Sequence, residues 1–256
     1  MIIIFCILCQ TTPQDSLLAF ADYLFSDRQY ELAVREYRRY IYLHECVSLR
    51  DTGVSERSDS RDHAWARDRM IQALLEIKKY REAAQEARRC PNHEVQAFSL
   101  GRVFHDSGQL DSAMFYFGQV TDTSLADETA RYLGLTLAKS FEFEAAGRYL
   151  TLPAHPVKHR SPALAGILAI VPGAGQVYAG RWGDGAYALS MILTGSAASY
   201  YYYKHDESVK FTLSLAVTSV FYAANIYSAI VAAKNYNLYQ NHSYLREIED
   251  SHPEVR

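Results

Sequence analysis

Cysteine is scarce: four among 256 residues are too few for a disulfide scaffold. The one Cys-x-x-Cys pair, Cys6 and Cys9, sits inside the apolar N-terminal run. Cys90 and His93 form a Cys-x-x-His, but no second pair in the repeat region completes the ligand set of a zinc site. Charge of one sign is also lacking. A net charge of −3 gives no basis for a nucleic-acid partner, which would favour a basic face. Neither Gly-x-Ser-x-Gly nor His-Glu-x-x-His appears, so a non-enzymatic protein without metal or cofactor is expected.

What the chain has is an internal division. Up to Arg160 it carries 20 Lys/Arg and 22 Asp/Glu, whereas from Ser161 to Tyr203 only Arg181 and Asp184 are charged. One part suits water and the other suits lipid. At the start, Met1–Cys9 (MIIIFCILC) is an apolar run too short to span a bilayer. It matches the apolar core of an export signal but lacks a positively charged start. Residues 1–12 are therefore expected to be a signal peptide or an apolar N-terminal segment. Export would allow Cys46 and Cys90 to pair.

Residues 13–153 repeat a helix-pair pattern, small residues marking close crossings and large apolar ones filling the gaps. The first window holds Ala21, Leu24, Tyr30, Ala33 and Tyr37, and the second Ile71, Leu74, Tyr80 and Ala83. The third holds Gly101, Phe104, Gly108, Ala113 and Phe117, and the fourth Gly134, Leu137, Phe143, Ala146 and Leu150. This pattern resembles tetratricopeptide repeats, whose period is about 34 residues. The resemblance implies a helical solenoid whose concave groove binds a peptide or partner helix. Asp22, Arg67, Arg102 and Arg131 are the candidate groove residues. Between the first two windows, residues 49–64 are rich in Ser, Arg and Asp and are expected to form a loop.

Residues 154–162 form a proline-rich linker. Pro156 separates His155 from His159, which argues against a helical metal pair. Residues 163–237 are expected to form a helical membrane domain, with spans at Gly185–Tyr203 and Phe211–Ala233, followed by a polar tail at 238–256. The run from Pro172 through Gly173, Gly175, Gln176 and Tyr178 to Gly180 reads Pro-Gly-Ala-Gly-Gln-Val-Tyr-Ala-Gly. Glycines there permit a tight turn, and polar side chains can satisfy the freed backbone. Asn225, inside the last apolar segment, is expected to bond another helix, and intramembrane polar residues are functional candidates by default. The motif resembles a membrane hairpin shared by many small bacterial membrane proteins. Residues 225–229 and 234–237 resemble a subgroup in which tetratricopeptide repeats precede it.

The sequence thus suggests an all-α chain, a tetratricopeptide-like solenoid followed by a small transmembrane domain. The expected function is a membrane-anchored adaptor holding a protein or peptide partner. The alternative is a membrane-embedded accessory subunit that assists insertion, assembly or transport. The resemblance implies the bacterial inner membrane, and the N-terminal run places the repeats in the periplasm.

Overall fold

A computed structural model describes residues 13–48 and 56–253. Among these residues the chain is all-helical, without a strand. It divides into two compact units, the first ending at Leu152 and the second beginning at Pro153. Residues 1–12, read from sequence as a signal peptide or an apolar N-terminal segment, lie outside the described part, as does the Cys46 side chain.

The first unit contains α1 (Pro13–Ser26), α2 (Tyr30–Ser48), α3 (Glu56–Glu76) and α4 (Tyr80–Ala87). It continues with α5 (His93–Asp106), α6 (Leu110–Phe117), α7 (Ala126–Lys139) and a single turn, α8 (Phe143–Ala146). Each helix packs on the next, and α5 also meets both α3 and α7. The loop expected over 49–64 needs correction, because α3 already begins at Glu56. Residues 56–64 contain neither glycine nor proline, so their polarity does not stop a helix from propagating; Gly53 lies ahead of them.

The same turn closes four helix pairs. Arg28 (φ 60°), Lys78 (φ 58°), Gly108 (φ 78°) and Phe141 (φ 65°) each adopt the left-handed conformation just after α1, α3, α5 and α7. In each case the left-handed residue donates to the carbonyl three before it, and its successor to the carbonyl five before that successor. For example, Lys78 N–H bonds Leu75 O at 2.9 Å and Lys79 N–H bonds Leu74 O at 2.9 Å. This double bond satisfies carbonyls that the helix end would otherwise orphan.

The positions read from sequence as close crossings lie in the interior. Ala21, Ala33, Ile71, Ala83, Ala113 and Ala146 are all fully buried. A side chain on Gly101 would begin 2.5 Å from the Phe117 ring, so glycine is what lets α5 and α6 close. Phe20, by contrast, is 49% exposed and lies outside this core.

The second unit contains α9 (Pro162–Leu168), α10 (Ala174–Tyr178), α11 (Trp182–Lys204) and α12 (Ser208–Ser251). All of the first three pack on α12. Gly185, Ile192 and Ser199 are the buried residues of α11 and recur at heptad spacing, forming the seam of a helix–helix contact. Among the described residues, α12 is the one helix long and apolar enough to cross a membrane. Two such spans are expected from sequence. The 23-residue α11 has the length, but its glycines, serines and tyrosines dilute its apolarity.

A non-glycine residue in the left-handed conformation is strained by about 1 kcal/mol. Lys78→Gly should therefore raise the unfolding midpoint, with a gain of up to about 1 kcal/mol in chemical denaturation. A lowered midpoint would show that the Lys78 turn is not under strain.

Candidate functional site

The site is built where a helix breaks and turns back. Ser161 caps α9, its hydroxyl accepting from Leu164 N–H at 3.3 Å, and Pro162 occupies the first turn. Pro172 and Gly173 lie between α9 and α10, and Gly173 has φ 85°. A Cβ on Gly173 would strike the Gly185 carbonyl of α11, so both the conformation and the space require glycine there. Gly175 is constrained by space alone: its Cβ would lie 2.7 Å from that of Ala229.

In an unbroken helix, Gly173 N–H would bond the Ala169 carbonyl four residues earlier. Here the Asn225 carboxamide stands between them. Its Oδ1 accepts from Gly173 N–H at 3.2 Å, and its Nδ2 donates to Ala169 O at 2.8 Å. Gln176 Nε2 donates to Asn225 O at 2.9 Å, to Asn225 Oδ1 at 3.1 Å and to Ser228 Oγ at 2.7 Å. Tyr222 OH donates to Ile170 O at 2.9 Å. Exchanging oxygen and nitrogen on Asn225 would set donor against donor, so the network fixes the amide orientation. Gln176 and Asn225 are only 2% and 4% exposed, and Gln176 Oε1 is buried without a hydrogen-bond donor.

A second carboxamide holds the other end of α9. Asn237 Oδ1 accepts from Arg160 N–H at 2.7 Å, and its Nδ2 donates to Arg160 O at 2.8 Å. The Arg160 guanidinium lies 3.9 Å from the centre of the Tyr236 ring and donates to the Tyr178 carbonyl. Tyr178 OH accepts from Ser161 N–H at 3.1 Å, and Gly180 (φ 83°) turns the chain beside Arg160. His159 meets Asn241 at 2.7 Å and His155 meets Glu247 at 3.3 Å, so the two linker histidines take separate partners on α12.

These contacts place α9 and α10 along α12 as on a ruler. α9 runs from the level of Asn237 to that of Tyr222, and α10 returns from Asn225 to Ala232 and Ala233. At 1.5 Å per residue, the tip of the pair, level with Tyr222, lies about 22 Å from Asn237 and about 21 Å from Ser208. The pair therefore enters and leaves at the same end of the unit. Sequence reasoning singled out Gly173, Gly175, Gln176 and Asn225, with Ser228 only as part of the 225–229 resemblance, but missed Arg160, Tyr222 and Asn241. Asn237 and Tyr236 entered only through the family resemblance.

In the first unit, Asp22 Oδ1 accepts from Tyr37 OH at 2.5 Å, which ties α1 to α2. Arg67 is buried. Arg102 is also buried, bonding Asp68 at 3.0 Å and lying 5.7 Å from the Phe98 and Tyr132 ring centres. Arg131 is half-buried on α7. Asp22 and Arg102 thus already serve the fold.

Deeper in that unit is a polar chain that sequence reasoning missed. Lys139 Nζ meets His105 Nε2 at 2.7 Å, His105 Nδ1 meets Thr136 Oγ1 at 2.8 Å, and Thr136 donates to Tyr132 O at 2.6 Å. Burial, and then the Lys139 charge, push the His105 pKa from 6.5 down to about 3. The ring is neutral and accepts from Lys139 through Nε2.

Asn225→Leu should strip partners from two buried backbone groups and cost about 2–4 kcal/mol. Gln176→Leu should cost less, because it leaves no backbone group of the break unpaired. Equal melting temperatures of the parent and the Asn225 variant in detergent would contradict this. For His105, the folded pKa lies below the unfolded one, so its contribution to stability is lost as pH falls. Between pH 6.5 and about 4.5 the loss should be about 2 kcal/mol. Asp106, whose pKa is raised by burial, acts with the opposite sign. His105→Gln should flatten the acid limb of the stability profile. Parallel profiles for variant and parent would show that His105 is not the titrating group.

No protein-family model, curated protein or solved structure matches the chain.

Proposed function

We propose that the chain is a non-enzymatic, membrane-anchored adaptor. Helices α1–α8 form a tetratricopeptide-like solenoid that holds a protein or peptide partner, and α9–α12 hold it at a bilayer. The observation that carries the anchor is the distribution of polarity in the second unit. Its interior holds Gln176, Ser199 and Asn225, while Ile167, Ile170, Val171, Leu193, Leu213 and Val220 stand outside at 59–69% exposure. Water would penalise that arrangement and hydrocarbon favours it.

Aromatic side chains support the depth. Trp182 is 72% exposed at one end of α11, and Tyr200, Tyr201 and Tyr203 are exposed at the other. The rise along the helix separates them by about 27 Å, close to the thickness of a hydrocarbon core. α9 and α10 dip to mid-depth and return, so the Pro153 end and the C-terminal tail share one side of the membrane. The His205–Glu207 turn lies on the other. The repeated left-handed turns and fully buried crossing residues favour the solenoid reading. The apolar N-terminal run favours a bacterial inner membrane with the repeats in the periplasm.

A second reading, an accessory subunit for insertion, assembly or transport, draws on the buried acceptor Gln176 Oε1 at the break. Crosslinking of the full chain in membranes, beside a fragment of residues 13–152, separates the two. The adaptor reading expects the folded fragment to take up, and compete for, the partner that the full chain crosslinks. If that partner crosslinks only to the second unit, while the fragment is folded and inert, the adaptor reading fails.

A further inference from the structure

We infer that the second unit is a wedge that prefers a curved membrane, convex on the side of the Pro153 end and the C-terminal tail. The inference rests on the membrane reading above and goes beyond anchoring.

The argument is one of unequal cross-section. From about Ala232 to Tyr222, α12 is flanked by α9 and α10 together with α11, each packed on it. Beyond Tyr222, towards Ser208, α11 alone continues: Gly195 meets Thr218 on α12, and the pair closes at the Asp206 turn. The tip of the pair, level with Tyr222, lies halfway, so one leaflet contains four helical segments and the other two. With a helix about 10 Å across, the two extra segments occupy roughly 160 Å² more of one leaflet than of the other.

The wedge is also stiff. The Asn225 carboxamide, Tyr222 and Gln176 tie the tip of α9–α10 to α12, and Asn237 ties its base. Glycine at 173 and 175 lets the segments touch without intervening side chains. Such an insert cannot flatten to match a planar bilayer. The crowded leaflet must spread relative to its opposite, which is the geometry that convex curvature supplies without cost. The apolar outer faces at Ile167, Ile170 and Val171 put the added volume among acyl chains rather than headgroups.

The test uses the full chain, labelled at its C-terminus and reconstituted into giant vesicles of phosphatidylcholine and phosphatidylglycerol. Protease access to the tail identifies vesicles with the tail outward. Thin tubes are then pulled from them at dilute coverage, where crowding between neighbouring molecules contributes nothing. The expected density on the tube is about twice that on the vesicle, a bias of roughly 0.4 kcal/mol, and it rises as the tube narrows. Vesicles with the tail inward should show depletion. Equal densities, or depletion with the tail outward, would overturn the wedge while leaving the anchor intact. Release of the protein from vesicles by alkaline carbonate would instead remove the membrane reading itself.

Discussion

The second unit depends on one carboxamide. By standing between Gly173 N–H and Ala169 O, Asn225 restores in two steps the helix bond that the turn destroys. A broken helix in a low-dielectric interior leaves backbone groups whose desolvation costs about 1–3 kcal/mol each. Pro172 and Gly173 make the break possible, but Asn225 makes it stable. The tight approach of Gly175 to Ala229 and of Gly173 to Gly185 follows, because only a break held in place can be packed this closely.

The same device recurs at the base of α9, where Asn237 bonds both backbone groups of Arg160. α12 therefore recognises the incoming chain by its backbone at two heights and by its side chains in between. The first unit uses a different economy. There, small buried residues set the distance between helices, and a single turn geometry, repeated four times, sets their reversal. Its polar interior, His105 with Thr136 and Lys139, joins α5 to α7.

Much of this was legible in the sequence because it is written in local spacing. Ala33, Ala83, Ala113 and Ala146 each follow the first crossing position of their window (Ala21, Ile71, Gly101, Gly134) by 12 residues, and such an offset is found without a structure. The glycine motif was legible for a similar reason, since a run of Pro and Gly among apolar residues has few conformational uses. What could not be read was partnership across many residues. Asn225 was singled out as a polar residue in an apolar run, but its partners 52 and 56 residues away have no local signature. Arg160 looked like one more linker cation until Tyr236 was found beneath it. The start of α3 was misplaced because a polar stretch without glycine or proline is compatible with either a loop or a helix.

α12 runs from Ser208 to Ser251 without a glycine or a proline. Over about 66 Å it has no hinge, so it behaves as a torsion bar. Near one end Tyr244 bonds Pro153 O, and near the middle Asn225 bonds the broken helix. Between them Asn241 and Asn237 hold the helix again, at His159 and Arg160. The rotational setting of α12 is therefore fixed at four heights, and it is that setting which aims the Asn225 carboxamide at both of its backbone partners.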